Sequence, residues 1–130
     1  MHLQIDYTLL WKGRAVLWPA ATMVSIVFLE GDSASRRYSI LAGGKYAGGI
    51  TVYGYGETVS YGIAIPPKMR RQGIARGALL QLFVILAQDW VKEAQVFIRP
   101  DNTASLALHK SLGFHPVPAG GDNLCLRRAL

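Results

Sequence analysis

The residues best able to do chemistry lie between positions 57 and 75, where proline, glycine and charge interrupt a largely apolar chain. Lys68, Arg70 and Arg71 follow Pro66-Pro67 and run into Gln72-Gly73-Ile74-Ala75. A basic loop with a glycine, placed just before a helix, suits phosphate. The first N–H groups of a helix lack internal partners, and the helix dipole puts partial positive charge there. Both flanking elements are legible. Val59, Tyr61, Ile63 and Ile65 alternate with Ser60, Gly62 and Ala64, which is the period of a strand. After Gly73, the residues Ala75, Leu79, Leu82, Phe83, Leu86 and Trp90 recur at helical spacing, so a helix is expected from about Gln72 to Asp89. No Gly-Lys-Ser/Thr follows the loop and the three-glycine spacing is absent, which excludes a Walker P-loop and a Rossmann fingerprint.

The wording of this loop resembles the pyrophosphate loop of the GNAT superfamily of N-acetyltransferases. That pattern is Arg or Gln, two residues, Gly, one residue, then Gly or Ala, and Arg70, Gly73 and Ala75 occupy its positions. A second stretch, Asn102 to Phe114, is similar to the family's other signature. Asn102, Ser105, Leu108, Gly113 and Phe114 fall in register, with His109 where the family carries Tyr. Both motifs occur in the family's order, one strand apart, and the likeness covers roughly residues 45 to 128.

The resemblance implies an acetyl-CoA-dependent N-acetyltransferase that moves an acetyl group to a primary amine. It implies an α+β (mixed α/β) fold with a mostly antiparallel central sheet and two main helices. By the same likeness, the backbone of Ile63, Ala64 and Ile65 would meet the pantetheine arm and thioester. The loop of Arg70, Arg71, Gln72, Gly73, Ile74 and Ala75 would hold the pyrophosphate, and Asn102 would contact the pantetheine arm. His109 stands where the family's Tyr protonates the thiolate, and Glu57 is the best carboxylate for a base acting through waters. Plainer readings stand beside these: sheet core for 63–65, a helix cap for Asn102, a histidine without a role for His109 and a turn residue for Glu57. Tyr55 and Tyr61 either line an acceptor pocket or pack on the sheet. The alternative function is a catalytically silent coenzyme A-binding module that regulates or scaffolds a partner. The acceptor stays open among a small molecule, a peptide N-terminus and a lysine.

The elements that must position these residues follow from the remaining chain. A length of 130 residues is read as one domain, and 51% hydrophobic with 17% charged residues argues against disorder. A net charge of +6 calls for an anionic partner. A phosphorylated cofactor fits better than nucleic acid, because basic and aromatic residues are not interleaved on one identifiable surface. Cys125 is the sole cysteine, which excludes an intramolecular disulfide and points to a reducing, cytoplasmic compartment. No His, Asp and Glu grouping has metal-ligand spacing, so no metal is expected.

His2 to Leu9 reads as a first strand. The apolar run Ala15 to Leu29 resembles the hydrophobic part of a signal peptide but falls short of the ~20 residues a membrane span needs, and reads instead as a buried strand or a short turn plus strand, the strand placed at Met23 to Leu29. Further strands are expected at Arg37 to Leu41, Tyr46 to Tyr53, Thr58 to Ile65, Ala94 to Arg99, Phe114 to Val117 and Asn123 to Arg128. A second helix should start at a cap on Asp101 or Asn102 and stop at Gly113. Members of the family usually carry two helices between the first two strands, and this chain has only a short apolar segment there. With Leu80, Val84 and Ile85 outside the main helical stripe, that apolar segment suggests a homodimer.

Overall fold

The protein is described by a computed structural model over residues 23–70 and 72–130. The strand expected over His2 to Leu9, the start of the apolar run and Arg71 lie outside the described residues. The chain runs β1 (Val24–Gly31), β2 (Ser35–Ala42), β3 (Lys45–Tyr53), β4 (Thr58–Ala64), a 3-10 turn (Pro67–Met69), α1 (Ile74–Gln88), β5 (Glu93–Ile98), α2 (Thr103–Ser111), β6 (His115–Val117) and β7 (Leu124–Ala129). The strands form one sheet in the order β1-β2-β3-β4-β5-β7-β6. Every pairing is antiparallel except β4 with β5. The expected mixed fold with a mostly antiparallel sheet is the fold observed.

Alternation decides which face each strand buries. Tyr38, Ile40, Ile50, Val52, Val59 and Tyr61 point to the side occupied by Leu79, Leu82, Phe83 and Leu86 of α1, and all are buried. Both helices reach this face at one residue. The Tyr61 ring lies 6.2 Å from that of Phe83 on α1 and 6.0 Å from that of His109 on α2, centre to centre. Among the described residues no helix covers the opposite face.

The link between β1 and β2 is a tight hairpin. Asp32 Oδ1 accepts from the N–H groups of Ala34 (2.7 Å) and Ser35 (3.0 Å), so three residues close the turn. Two expectations need correction. Met23 to Leu29 is a strand but not a buried one: among the described residues β1 has a neighbour on one side only, and Val27, Phe28 and Leu29 are about half exposed. The α1 stripe also stops before Trp90. N–H groups of Asp89 and Trp90 close onto carbonyls of Ile85 to Ala87, Trp90 takes a positive φ of 67° and stands 88% exposed, and Val91 enters the core instead.

Candidate active site

The sheet forks at β4. Thr58, Val59 and Ser60 pair with Glu93, Ala94 and Gln95 of β5, and there the pairing ends. On the other side β3 stays paired as far as Ala64. Gly62, Ile63 and Ala64 are therefore bonded to one neighbour only, and their second edge faces the gap between β4 and β5. A free edge of that kind must find partners in water or in an extended ligand. Gly48 makes the backing possible: its φ is 140°, and a Cβ there would run into the Ala64 carbonyl. A polar lock holds the closed end on the uncovered face. Gln95 Nε2 donates to Ser60 Oγ (2.8 Å), and Arg127 Nε donates to Gln95 Oε1 (3.0 Å). Gln95 escaped the sequence reading, because an alternating strand gives no sign of which polar residue sits at a fork.

The phosphate loop leaves from the open end. Pro66-Pro67 starts the 3-10 turn, and Arg70 Nε donates back to the Ile65 carbonyl (2.9 Å), fixing the loop to the end of β4. Gln72 Nε2 donates to the Lys68 carbonyl (3.4 Å). Gly73 is the N-cap of α1 in the left-handed conformation, φ 73°, which suits glycine. No side chain caps α1 and its first turn holds no acid, so its leading N–H groups remain available to an anion. This terminus fits a pyrophosphate. Ile74 is buried and anchors the turn, while Arg76 turns away to hydrogen-bond Ser111 Oγ at the end of α2.

Asn102 caps α2: its Oδ1 accepts from the Ser105 N–H (3.1 Å). The side-chain NH2 group is left to serve a ligand, so cap and ligand roles are compatible.

His109 is wholly buried. Its Nδ1 lies 2.8 Å from the Ser105 carbonyl and its Nε2 lies 2.8 Å from the Tyr61 hydroxyl. A carbonyl can only accept, so Nδ1 carries the proton and Nε2 accepts from Tyr61. Burial pushes the His109 pKa below its ordinary value, opposed in part by the Ser105 bond. Burial pushes the Tyr61 hydroxyl far up, against a smaller effect of Arg128, so Tyr61 keeps its proton and donates. The imidazole is neutral, with both nitrogens engaged inside the core. It offers no outward N–H to a leaving thiolate. The structure thus places His109 as a tie between α2 and β4, against the Phe114 ring (5.0 Å, edge on). Tyr61 is core as well, fully buried.

Glu57 lies at the closed end of β4. Its carboxylate pairs with Lys92 Nζ (3.2 Å), both side chains over 70% exposed, and its carbonyl accepts from the N–H groups of Lys92 and Glu93. Four residues of extended strand, at a rise of ~3.3 Å per residue, separate it from Gly62. The structure brings Ile63 to Ile65, Gly73 to Ala75 and Arg70 to one end of β4 and leaves Glu57 at the other.

The geometry matches known proteins. The profile of the Acetyltransferase (GNAT) family matches residues 6–114. The [ribosomal protein bS18]-alanine N-acetyltransferase of Escherichia coli K12 is 33% identical over 114 residues, covering 87% of this chain and 74% of that protein. The crystal structure of the ribosomal-protein-S18-alanine N-acetyltransferase from Escherichia coli superposes with a TM-score of 0.68 at 22% identity, over 83% of this chain and 93% of that one. The PaiA N-acetyltransferase from Thermoplasma acidophilum, solved with coenzyme A, gives a TM-score of 0.69 at 13% identity over 75% of this chain. This protein spans 62% of the Thermoplasma chain, less than two thirds of its length. Family profile, sequence relative and shared fold agree, and the chain belongs to the acetyltransferase (GNAT) family.

Proposed function

We propose that this acetyltransferase takes its acetyl group from acetyl-CoA and delivers it to a primary amine, with a polypeptide as the acceptor. The observation that carries the reading is the fork. A half-paired strand, Gly62 to Ala64, leads directly into an uncapped helix N-terminus at Gly73. An extended arm ending in a pyrophosphate needs those two features in that order. The bound thioester supplies an acyl group already activated for transfer, so the protein's main task is to position it.

The free edge of Ile63 and Ala64 orients the arm, the N–H groups of Ile74 and Ala75 hold the phosphates, and Arg70 keeps loop and strand in register. Neither His109 nor Glu57 reaches the open end, so water in the fork carries the protons. A leaving thiolate of ordinary basicity, with a conjugate acid near ~8.5, needs no strong acid. A polypeptide acceptor is supported by the Escherichia coli relative, whose name states an alanine of a ribosomal protein as its substrate. Thiol release from acetyl-CoA, measured against panels of peptides and small amines, tests the reading. Release that depends on an amine supports it, and binding of acetyl-CoA without release on any amine contradicts it.

A further inference from the structure

We infer that Arg76 is a positioning residue for acetyl-CoA: its guanidinium does not hold phosphate but braces the first turn of α1 against the end of α2, so that the turn's N–H groups face the pyrophosphate. The inference rests on the phosphate-loop reading above. Helical bonding in α1 begins with the Gly77 N–H, which donates to the Gly73 carbonyl (3.1 Å). The N–H groups of Ile74, Ala75 and Arg76 come before that bond and are the ones an anion can take. Arg76 therefore carries one of these groups on its backbone, while its side chain leaves in another direction, to Ser111 Oγ.

A cation in the first turn of a helix lies against the positive end of the dipole, and the first turn of α1 holds no acid to offset it. Ser111 supplies the compensation. It is the last residue of α2, where the dipole leaves partial negative charge on the final carbonyls. The Ser111 hydroxyl donates to the Leu108 carbonyl (2.6 Å) and accepts from Arg76, so it relays that polarity to the guanidinium. One hydroxyl thus joins the start of α1 to the end of α2. The end of α2 is itself fixed. His109 Nε2 accepts from the Tyr61 hydroxyl of β4 (2.8 Å), and Arg128 Nε of β7 donates to the Leu112 carbonyl (2.8 Å). The Arg128 guanidinium also lies over the Phe83 ring, 4.9 Å from its centre. The first turn of α1 has less to hold it: a left-handed glycine with no capping side chain, and Ile74 as its buried anchor. A turn of that kind frays unless something outside the helix steadies it. Arg76 ties the loose turn to the firm one.

The test is calorimetry on the full chain with acetyl-CoA and with its analogue that lacks the phosphate on the ribose. Neither Arg76 nor Ser111 belongs to the buried core, and urea midpoints check that each variant is folded. Arg76→Ala and Ser111→Ala should each weaken acetyl-CoA binding roughly three- to tenfold, the size of one hydrogen bond. The two losses should be equal, with the double variant no weaker than either single one, because both remove the same contact. They should also be the same for both ligands and at low and high salt. Ser111→Thr keeps the hydroxyl and should bind within twofold of the parent. In turnover the acetyl-CoA KM should rise by the same factor with kcat within twofold, whereas a merely destabilised protein loses kcat instead. A loss in Arg76→Ala with none in Ser111→Ala overturns the brace and makes Arg76 a direct phosphate ligand. A loss that shrinks with salt, or that disappears with the ribose phosphate, does the same. Unchanged affinity in both single variants, while Gly73→Gln weakens binding, overturns the brace alone and leaves the phosphate loop standing. Unchanged affinity in Gly73→Gln overturns the loop, and the brace with it.

Discussion

The two ends of β4 share a strand and differ in nearly everything else. At the closed end, Thr58 to Ser60 pair with β5, Ser60 pairs with Tyr53 of β3 as well, Val59 is fully buried, and Gln95 clasps Ser60. At the open end, Gly62 to Ala64 pair on one side, Gly62 and Ala64 are exposed, and the chain passes into the Gly73 turn. Between them stands Tyr61, whose hydroxyl is tied to His109. The closed end is tied into the protein by β5 and by the Gln95 side chain. The open end leaves backbone groups and a helix terminus unmet, and only unmet groups can hold a ligand. Function follows from where the sheet stops pairing, more than from the charged residues around it.

Substitutions at the two ends should separate accordingly. The largest effect is expected at the open end. Gly73→Gln puts a side chain where the backbone must approach the pyrophosphate and strains a left-handed residue, and it should weaken acetyl-CoA binding more than tenfold, about 1.4 kcal/mol or more. Calorimetry on a variant shown to be folded by circular dichroism checks this. At the junction, Tyr61→Phe leaves His109 Nε2 buried without its donor. The expected cost is about 1–3 kcal/mol of stability, read from the urea midpoint at pH 7.5.

The same pair sets a pH dependence. His109 is neutral in the folded protein with its pKa lowered, whereas the unfolded chain takes up a proton near ~6.5. Between those two values the unfolded state binds more protons. His109's contribution is thus complete above the unfolded value and is lost as pH falls below it, by at most ~1.4 kcal/mol per pH unit. Urea midpoints at pH 7.5, 6.5 and 5.5 should fall in the parent, and His109→Phe should flatten the part of the decline that His109 causes. The smallest effect belongs to the closed end. Glu57→Gln breaks an exposed ion pair worth ~0–1 kcal/mol and should leave turnover within twofold. A hundredfold loss would restore Glu57 as the base.

The contrast between the ends also marks what the sequence could tell. The strand from Thr58, the turn at Pro66-Pro67 and the helix after Gly73 were legible because each is encoded by its own neighbours: alternation, proline and a glycine before an apolar stripe. The cap at Asn102 was legible for the same reason. The bond from Tyr61 to His109 spans 48 positions, and nothing in either neighbourhood shows that their faces meet. Spacing put His109 two turns beyond Asn102 and on the same side of the helix, but could not say that side turns inward. Glu57 was adjacent to the right strand and at its wrong end, a distinction that exists only once β5 is seen to pair with Thr58 to Ser60. The exposure of Val27, Phe28 and Leu29 on β1 was hidden by their apolar composition, which reads as burial.

The central claim is that the open end of β4 and the Gly73 turn together hold acetyl-CoA while the closed end takes no part. Amide hydrogen exchange with and without acetyl-CoA tests it residue by residue. The account predicts slowed exchange at Ile63, Ala64, Ile74 and Ala75, with Thr58, Val59 and Ser60 unchanged. Exchange unaltered at the open end in the presence of bound acetyl-CoA, or slowed at the closed end alone, would contradict it.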